Sequence, residues 1–205
     1  MIEFKLLQHK PIRTIVFSVI ISCVCSLQLS AQVNVQSDPK DFETELNTPE
    51  IPSKRSRIVQ ERMQQIAQGL IESGFNVELM RDDQVVTATI SLNSLFEPNG
   101  WTLVPSSTKL LQPFTKFTRQ NGEYKLLLCV HSDNTGSESY RTWICEQRVL
   151  SLYDYFDTHG NSSGMIYGYP MGNDQPLVKD NSAKNRALNR RLEIYIVPGP
   201  DFIKK

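Results

Sequence analysis

Apolar residues recur along this chain in different rhythms, and each rhythm predicts a different element. Val59, Met63, Ile66 and Leu70 fall three or four residues apart, the spacing of one helix face, with Ser56 as a candidate N-cap and Gly74 where the helix would stop. Residues 75–80 and 84–91 read as two strands around the charged turn Arg81-Asp82-Asp83. Residues 92–96 stay largely apolar until Pro98-Asn99-Gly100 breaks the run. Leu110, Leu111, Phe114 and Phe117 mark a second helix, with Pro113 in its first turns. The run YKLLLCV over 124–130 has no polar alternation and reads as a central strand covered on both faces. A third helix over 139–158 carries Cys145, Val149, Leu152 and Phe156 on one face. A short strand at 165–168, a short helix at 182–189 and a final strand at 192–197 (LEIYIV) complete the pattern. This order predicts an α+β sandwich in which helices cover a mixed sheet.

The two ends follow other rules. Lys5, Lys10 and Arg13 precede an apolar run over 14–29, which ends at Leu29-Ser30-Ala31 before polar residues begin. A basic start, a short apolar stretch and small residues describe a signal peptide, with cleavage expected after Ala31. The run is short for a membrane-spanning helix, which needs about 20 apolar residues. Lipoprotein processing at Cys23, after Ile20-Ile21-Ser22, is the alternative, and a retained anchor helix a further one. Residues 32–56 contain Pro39, Pro49 and Pro52 without apolar periodicity and read as a flexible tether. Residues 57–85 then form a helix and hairpin preceding the main domain at 86–198, and 199–205 are a tail.

The 205 residues carry 22 basic and 22 acidic side chains, so the formal charge is zero. Removing 1–31 takes away Lys5, Lys10, Arg13 and Glu3 and leaves 19 basic and 21 acidic residues, net −2. That balance argues against nucleic acid as a partner, because duplex binding draws on a basic excess. Four cysteines become two, Cys129 and Cys145. Export would permit a disulfide between them, while two buried free thiols are the alternative. No metal-ligand spacing such as CxxC remains, and no cofactor motif is present. The length does not accommodate a transmembrane barrel beside a soluble domain, and no internal repeat is visible.

The chemistry concentrates between His131 and Arg191. Asp133 follows the predicted central strand, with Thr135 and Gly136 in the turn after it, and Arg148 lies 15 residues further on. One continuous helix would separate the two by about 22 Å. A strand, a glycine turn and a helix running back bring them together instead. Helical side chains lean toward the N-terminus, so Arg148 is expected to point toward the strand end that holds Asp133.

This block resembles the OmpA-like domain. The family pattern is a strand, T-D-x-x-G, an N-x-x-L-S-x-x-R-A helix, G-Y-G…P…N, and N-R-R-(V/L)-E-I. The matching residues are Ser132-Asp133-Asn134-Thr135-Gly136, then Ile144 to Arg148, Gly168-Tyr169-Pro170, Gln175-Pro176, Asn181 and Asn189-Arg190-Arg191-Leu192-Glu193-Ile194. Upstream, Leu95-Phe96-Glu97-Pro98-Asn99 is similar to the family's F-D-x-(D/N) turn. The resemblance implies an OmpA-like βαβαβ sandwich, here preceded by an extra helix and β-hairpin. It implies non-covalent binding of peptidoglycan in the periplasm, attached to or near the outer membrane, with no catalysis. The implied ligand is the diaminopimelate of the peptide stems. By position, Asp133 would accept its ammonium, Arg148 would hold its carboxylate through two hydrogen bonds, Asn99 would contribute from the neighbouring turn, and Arg190 would stand at the far wall. Thr135 belongs to the same turn. The chain departs from the family at Arg141, where the pattern has Asn, and at Cys145, where it has Ser. Arg141 adds a positive charge beside the expected pocket.

Two other functional classes stay open on the residues alone. A cell-wall hydrolase could use His131, Asp133 or Glu97 as acid or base, although no nucleophile elbow or HExxH motif accompanies them. A structural subunit of an envelope complex could dock another envelope protein through 57–85, unless those residues simply extend the sheet and core.

Overall fold

A computed structural model describes residues 39–119, 122–160 and 165–205. The expected signal peptide, with Cys23 and Ala31, and the first residues of the expected tether lie outside them. Five strands form one mixed sheet: β1 (Asn76–Met80), β2 (Val85–Ser91), β3 (Tyr124–His131), β4 (Ile166–Gly172) and β5 (Arg191–Pro198). Their spatial order is β1-β2-β5-β3-β4. The parallel pair is β3–β4, and every other neighbouring pair is antiparallel. The parallel pair needs a crossover, which α5 (Glu138–Gly160) supplies.

One face of the sheet packs against α2 (Ser53–Glu72) and α5. Val59, Met63, Ile66 and Leu70 of α2 and Val149, Leu152 and Phe156 of α5 meet Leu126, Leu128 and Val130 of β3 and Leu192, Ile194 and Ile196 of β5. The opposite residues of the same strands, Leu127, Cys129, Tyr195 and Val197, are buried in a second, smaller core. Coverage on both faces explains why β3 shows no alternation. Residues 57–85 therefore extend the sheet and core: the apolar stripe of α2 is buried, and β1 adds to the sheet by pairing with β2, which pairs with β5.

The second core overturns the reading of 32–56 as tether throughout. Residues 39–47 form α1 (Pro39–Asn47), whose Phe42 and Leu46 are buried on the sheet. Phe42 meets Tyr169 and Tyr195 edge to face, with ring centroids 5.3 and 5.2 Å apart. Lys125 donates to the Glu45 carboxylate and to its carbonyl, each at 2.6 Å. Two apolar residues in nine are too few to announce a helix; its partners are strand residues far along the chain. The second helix also differs. It is α3 (Ser107–Leu111) and α4 (Thr115–Arg119) joined by a 3₁₀ turn at Gln112–Phe114, because Pro113 cannot donate to a continuous α-helix. Strand β4 runs to Gly172, beyond the expected 168, and tolerates Pro170 because it lies at the sheet edge. The helices are completed by α6 (Ala183–Asn189) and by α7 (Pro200–Lys204), which occupies the expected tail. Cys129 and Cys145 are free thiols on opposite faces of the sheet, which removes the disulfide alternative. No helix among the described residues is long and apolar enough to cross a membrane.

Candidate functional site

The site forms where β3 ends and α5 begins. Asp133 Oδ1 accepts the Thr135 N–H at 2.9 Å, a side-chain turn that reverses the chain after the strand. Gly136 has φ +85°, and a Cβ there would sit 2.8 Å from the Tyr140 ring. Ser137 Oγ then accepts the Tyr140 N–H at 3.2 Å and caps α5. The helix runs back along the sheet and presents Arg148 beside the turn.

A second loop meets it from the opposite side. Phe96 and Leu103 form an isolated bridge, the Glu97 N–H donates to the Thr102 carbonyl at 3.0 Å, and the Gly100 N–H donates to the Glu97 carbonyl at 3.0 Å. Asn99 stands at the tip with φ +55°, a conformation asparagine tolerates better than most residues. The Gly100 carbonyl accepts from Arg148 Nε at 3.0 Å, and the guanidinium carbon lies 5.5 Å from the centre of the Phe96 ring.

The motif Asn189-Arg190-Arg191 contributes three different things. Asn189 is fully buried and clamps the loop before α6, bonding both backbone groups of Val178 and the Asp180 carboxylate. Arg190 reaches the site: its guanidinium pairs with Asp133 Oδ2, and its Nε donates to Asn93 Oδ1 at 3.3 Å. Arg191 turns to the other face of the sheet and pairs with Glu193 at 2.6 Å.

All six candidate residues, Asp133, Arg148, Asn99, Arg190, Thr135 and Arg141, line one open cavity of about 330 Å³. Ligand pockets begin at about that size. The pairing inside differs from the expectation. Asp133 faces Arg190 directly, whereas Arg148 is held by a backbone carbonyl and an aromatic ring. The reason is topological: β5 lies next to β3 and runs antiparallel to it, so Arg190, just before the start of β5, stands beside Asp133. Arg141 is also partly engaged. Its Nε donates to Asn173 Oδ1 at 2.8 Å and an Nη to the Gly136 carbonyl at 2.6 Å, so it braces the turn against the end of β4.

The electrostatics keep the charges in place. Burial works against the Asp133 carboxylate, but the Thr135 hydrogen bonds and the Arg190 guanidinium outweigh it and hold the group below its ordinary range. Burial lowers the Arg148 guanidinium from its ordinary value, and an arginine nonetheless remains charged. Three lining residues escaped sequence reading. Asn93, in the turn after β2, and Tyr140, in the first turn of α5, carry no motif. Ser132 was visible only as a motif neighbour; its Oγ is buried beside the Cys145 thiol without a well-aligned hydrogen bond.

His131 does not line the cavity. It points to the other face, where its Nε2 lies 3.3 Å from Glu193. Burial lowers its pKa. Burial raises the Glu193 pKa, but contacts from His131, Tyr195 and Arg191 bring it down to about 2. Among the described residues, no group of three acidic, histidine or cysteine side chains is placed to hold a metal.

No protein-family model matches the chain. Over 105 residues it is 29% identical to Outer membrane protein A of Bordetella avium, covering 51% of this chain and 54% of that protein. Over 101 residues it is 26% identical to the Peptidoglycan-binding protein ArfA of Mycobacterium bovis, covering 49% of this chain and 31% of that one. The chain thus spans about half the length of the first relative and less of the second. Among solved structures, a putative MotB-like protein from Desulfovibrio vulgaris superposes with a TM-score of 0.59 at 19% identity, over 69% of this chain and 98% of that one. Sequence similarity over about half of the chain, the mixed five-stranded fold and the ordered motifs together support an OmpA-like domain in this chain.

Proposed function

We propose that this domain binds peptidoglycan non-covalently, gripping the zwitterionic tip of a peptide stem. The observation that carries the reading is the convergence of Asp133, Arg148, Arg190 and Asn99 on one open cavity. A carboxylate offers about four lone-pair directions, so Asp133 retains acceptor capacity for an ammonium beyond Thr135 and Arg190. Arg148 bonds the protein through Nε, which leaves its Nη groups to donate to a carboxylate. Diaminopimelate carries both partners at its side-chain end. A relative whose name states peptidoglycan binding supports the same ligand class. Each charge-assisted bond contributes roughly 1.5–3 kcal/mol, and a polymer of repeated stems adds avidity.

Binding rather than hydrolysis fits the charges. His131 is turned away from the cavity, and Asp133 is held ionised by the Thr135 hydrogen bonds and by Arg190, which makes it a poor proton donor. The placement follows from the ligand: an exported protein in the periplasm. Intact mass of the exported chain distinguishes cleavage after Ala31 from lipidation at Cys23.

The test is co-sedimentation with purified sacculi. Asp133→Ala and Arg148→Ala abolish sedimentation while circular dichroism stays native. Sedimentation equal to the unaltered protein in both variants overturns the proposal, and release of soluble muropeptides would favour the hydrolase.

A further inference from the structure

Three aromatic rings stand exposed at the rim of the cavity. Trp101, Tyr140 and Trp143 are 42%, 41% and 41% accessible, although residues of this size normally bury most of their surface. Trp101 comes from the Asn99 loop and Trp143 from the first turns of α5. Their ring centroids lie 5.2 Å apart at 78°, so one indole presents its face where the other presents its edge. Tyr140 stacks obliquely on Trp143, at 5.9 Å and 37°. Tyr140 also lines the cavity, so the rings and the pocket form one continuous surface.

The surroundings of Trp143 narrow the ligand. Ser137, Ser139 and Thr142 offer hydroxyls beside it, and Glu138 and Glu146 offer carboxylates. The negative face of an aromatic ring attracts the C–H bonds on the flat side of a pyranose. Hydroxyls and carboxylates bond its equatorial oxygens. The two glutamates repel phosphate, which disfavours nucleic acid and an anionic lipid surface.

We infer that Trp101, Tyr140 and Trp143 form a carbohydrate platform that takes an N-acetylated hexosamine of the glycan strand while the adjoining cavity takes the peptide stem. The inference rests on the proposed peptidoglycan reading and assigns it a second subsite.

Trp101 and Trp143 are the 2 tryptophans of the chain, so intrinsic fluorescence reports on the platform itself. The protein is titrated with chitotetraose, with peptide-free glycan strands and with free stem tripeptide. Both glycans quench or shift the emission. Trp101→Ala and Trp143→Ala, followed by calorimetry, each weaken binding of peptide-free strands about tenfold, the size of one or two aromatic contacts, and leave tripeptide affinity unchanged. Trp143→Tyr, which keeps a flat ring, recovers most of the loss. Asp133→Ala does the reverse, losing the tripeptide and keeping the glycan. Glycan binding without tripeptide binding would overturn the pocket reading and leave the platform standing. Unchanged emission with both glycans, and equal glycan affinity in the alanine variants, overturn the platform. So does self-association in sedimentation velocity that disappears in Trp143→Ala, since the rings would then join two copies of this chain.

Discussion

The Asp133 carboxylate is paired by Arg190, a residue 57 positions away, and not by Arg148 in the helix that follows it. Arg190 also holds Asn93, so one guanidinium ties the end of β3 to the turn after β2. Arg190→Ala leaves a buried carboxylate with the Thr135 contacts alone. The expected cost is about 1–3 kcal/mol in urea unfolding, together with loss of sacculus sedimentation. Arg190→Lys restores little, because an ammonium does not reproduce the planar fork that meets Asp133 and Asn93 together. Full sedimentation by Arg190→Ala would place the grip elsewhere.

Acid weakens the fold through two carboxylates. Asp133 and Glu193 both have folded pKa values below their ordinary 3.8 and 4.5, Glu193 at about 2. The unfolded chain therefore binds protons first, and their stabilisation, complete above about pH 5, is lost as pH falls toward 2. His131, lowered from 6.5, acts in the same direction at a higher pH, since the unfolded chain takes up its proton first. The thermal midpoint should fall steeply between pH 5 and 2. Glu193→Gln should start lower at pH 7 and fall less steeply; parallel curves for the two proteins would refute the assignment.

Gly168 sets how closely α5 approaches β4. A Cβ there would lie 2.2 Å from Val149 Cγ1. Gly168→Ala should cost about 1–3 kcal/mol through overpacking. Adding Val149→Ala should return part of that cost, so the double variant is more stable than the sum of the two singles by about 1 kcal/mol. Denaturant midpoints of the four proteins measure this coupling, and strict additivity would mean the helix simply shifts.

Helix α1 belongs to the folded core. Phe42 is 6% exposed between Tyr169 and Tyr195. Phe42→Ala should cost about 3 kcal/mol. The amides of 39–47 should resist hydrogen exchange in the unaltered protein and lose that protection in the variant. Rapid exchange in both would return the segment to a tether.

Much of the architecture was legible from local pattern. The spacing of Val59, Met63, Ile66 and Leu70 marks α2, and the unbroken YKLLLCV run marks the central strand, because each reports a single element's contact with a core. The ordered motifs around Asp133 and Arg190 located the site's edge, since a turn and a strand start have local signatures. What local pattern could not supply was anything that depends on which elements become neighbours. The helical state of 39–47 depends on Tyr169 and Tyr195, and the Lys125–Glu45 contact spans 80 residues.

The sequence by itself determined the helices and strands with strong periodicity, and it supplied the acid, the guanidinium groups and the asparagine of the candidate site. Tertiary structure alone decided the partnerships: Arg190 on Asp133, Arg148 on the Gly100 carbonyl, Arg141 on Asn173, and two tryptophans edge to face on the rim. The physical reason is the sheet order. Antiparallel pairing of β3 with β5 brings His131 opposite Arg191, and so Asp133 beside Arg190. Hydrogen bonds between strands distant in sequence set that register, and no window of residues read alone contains them.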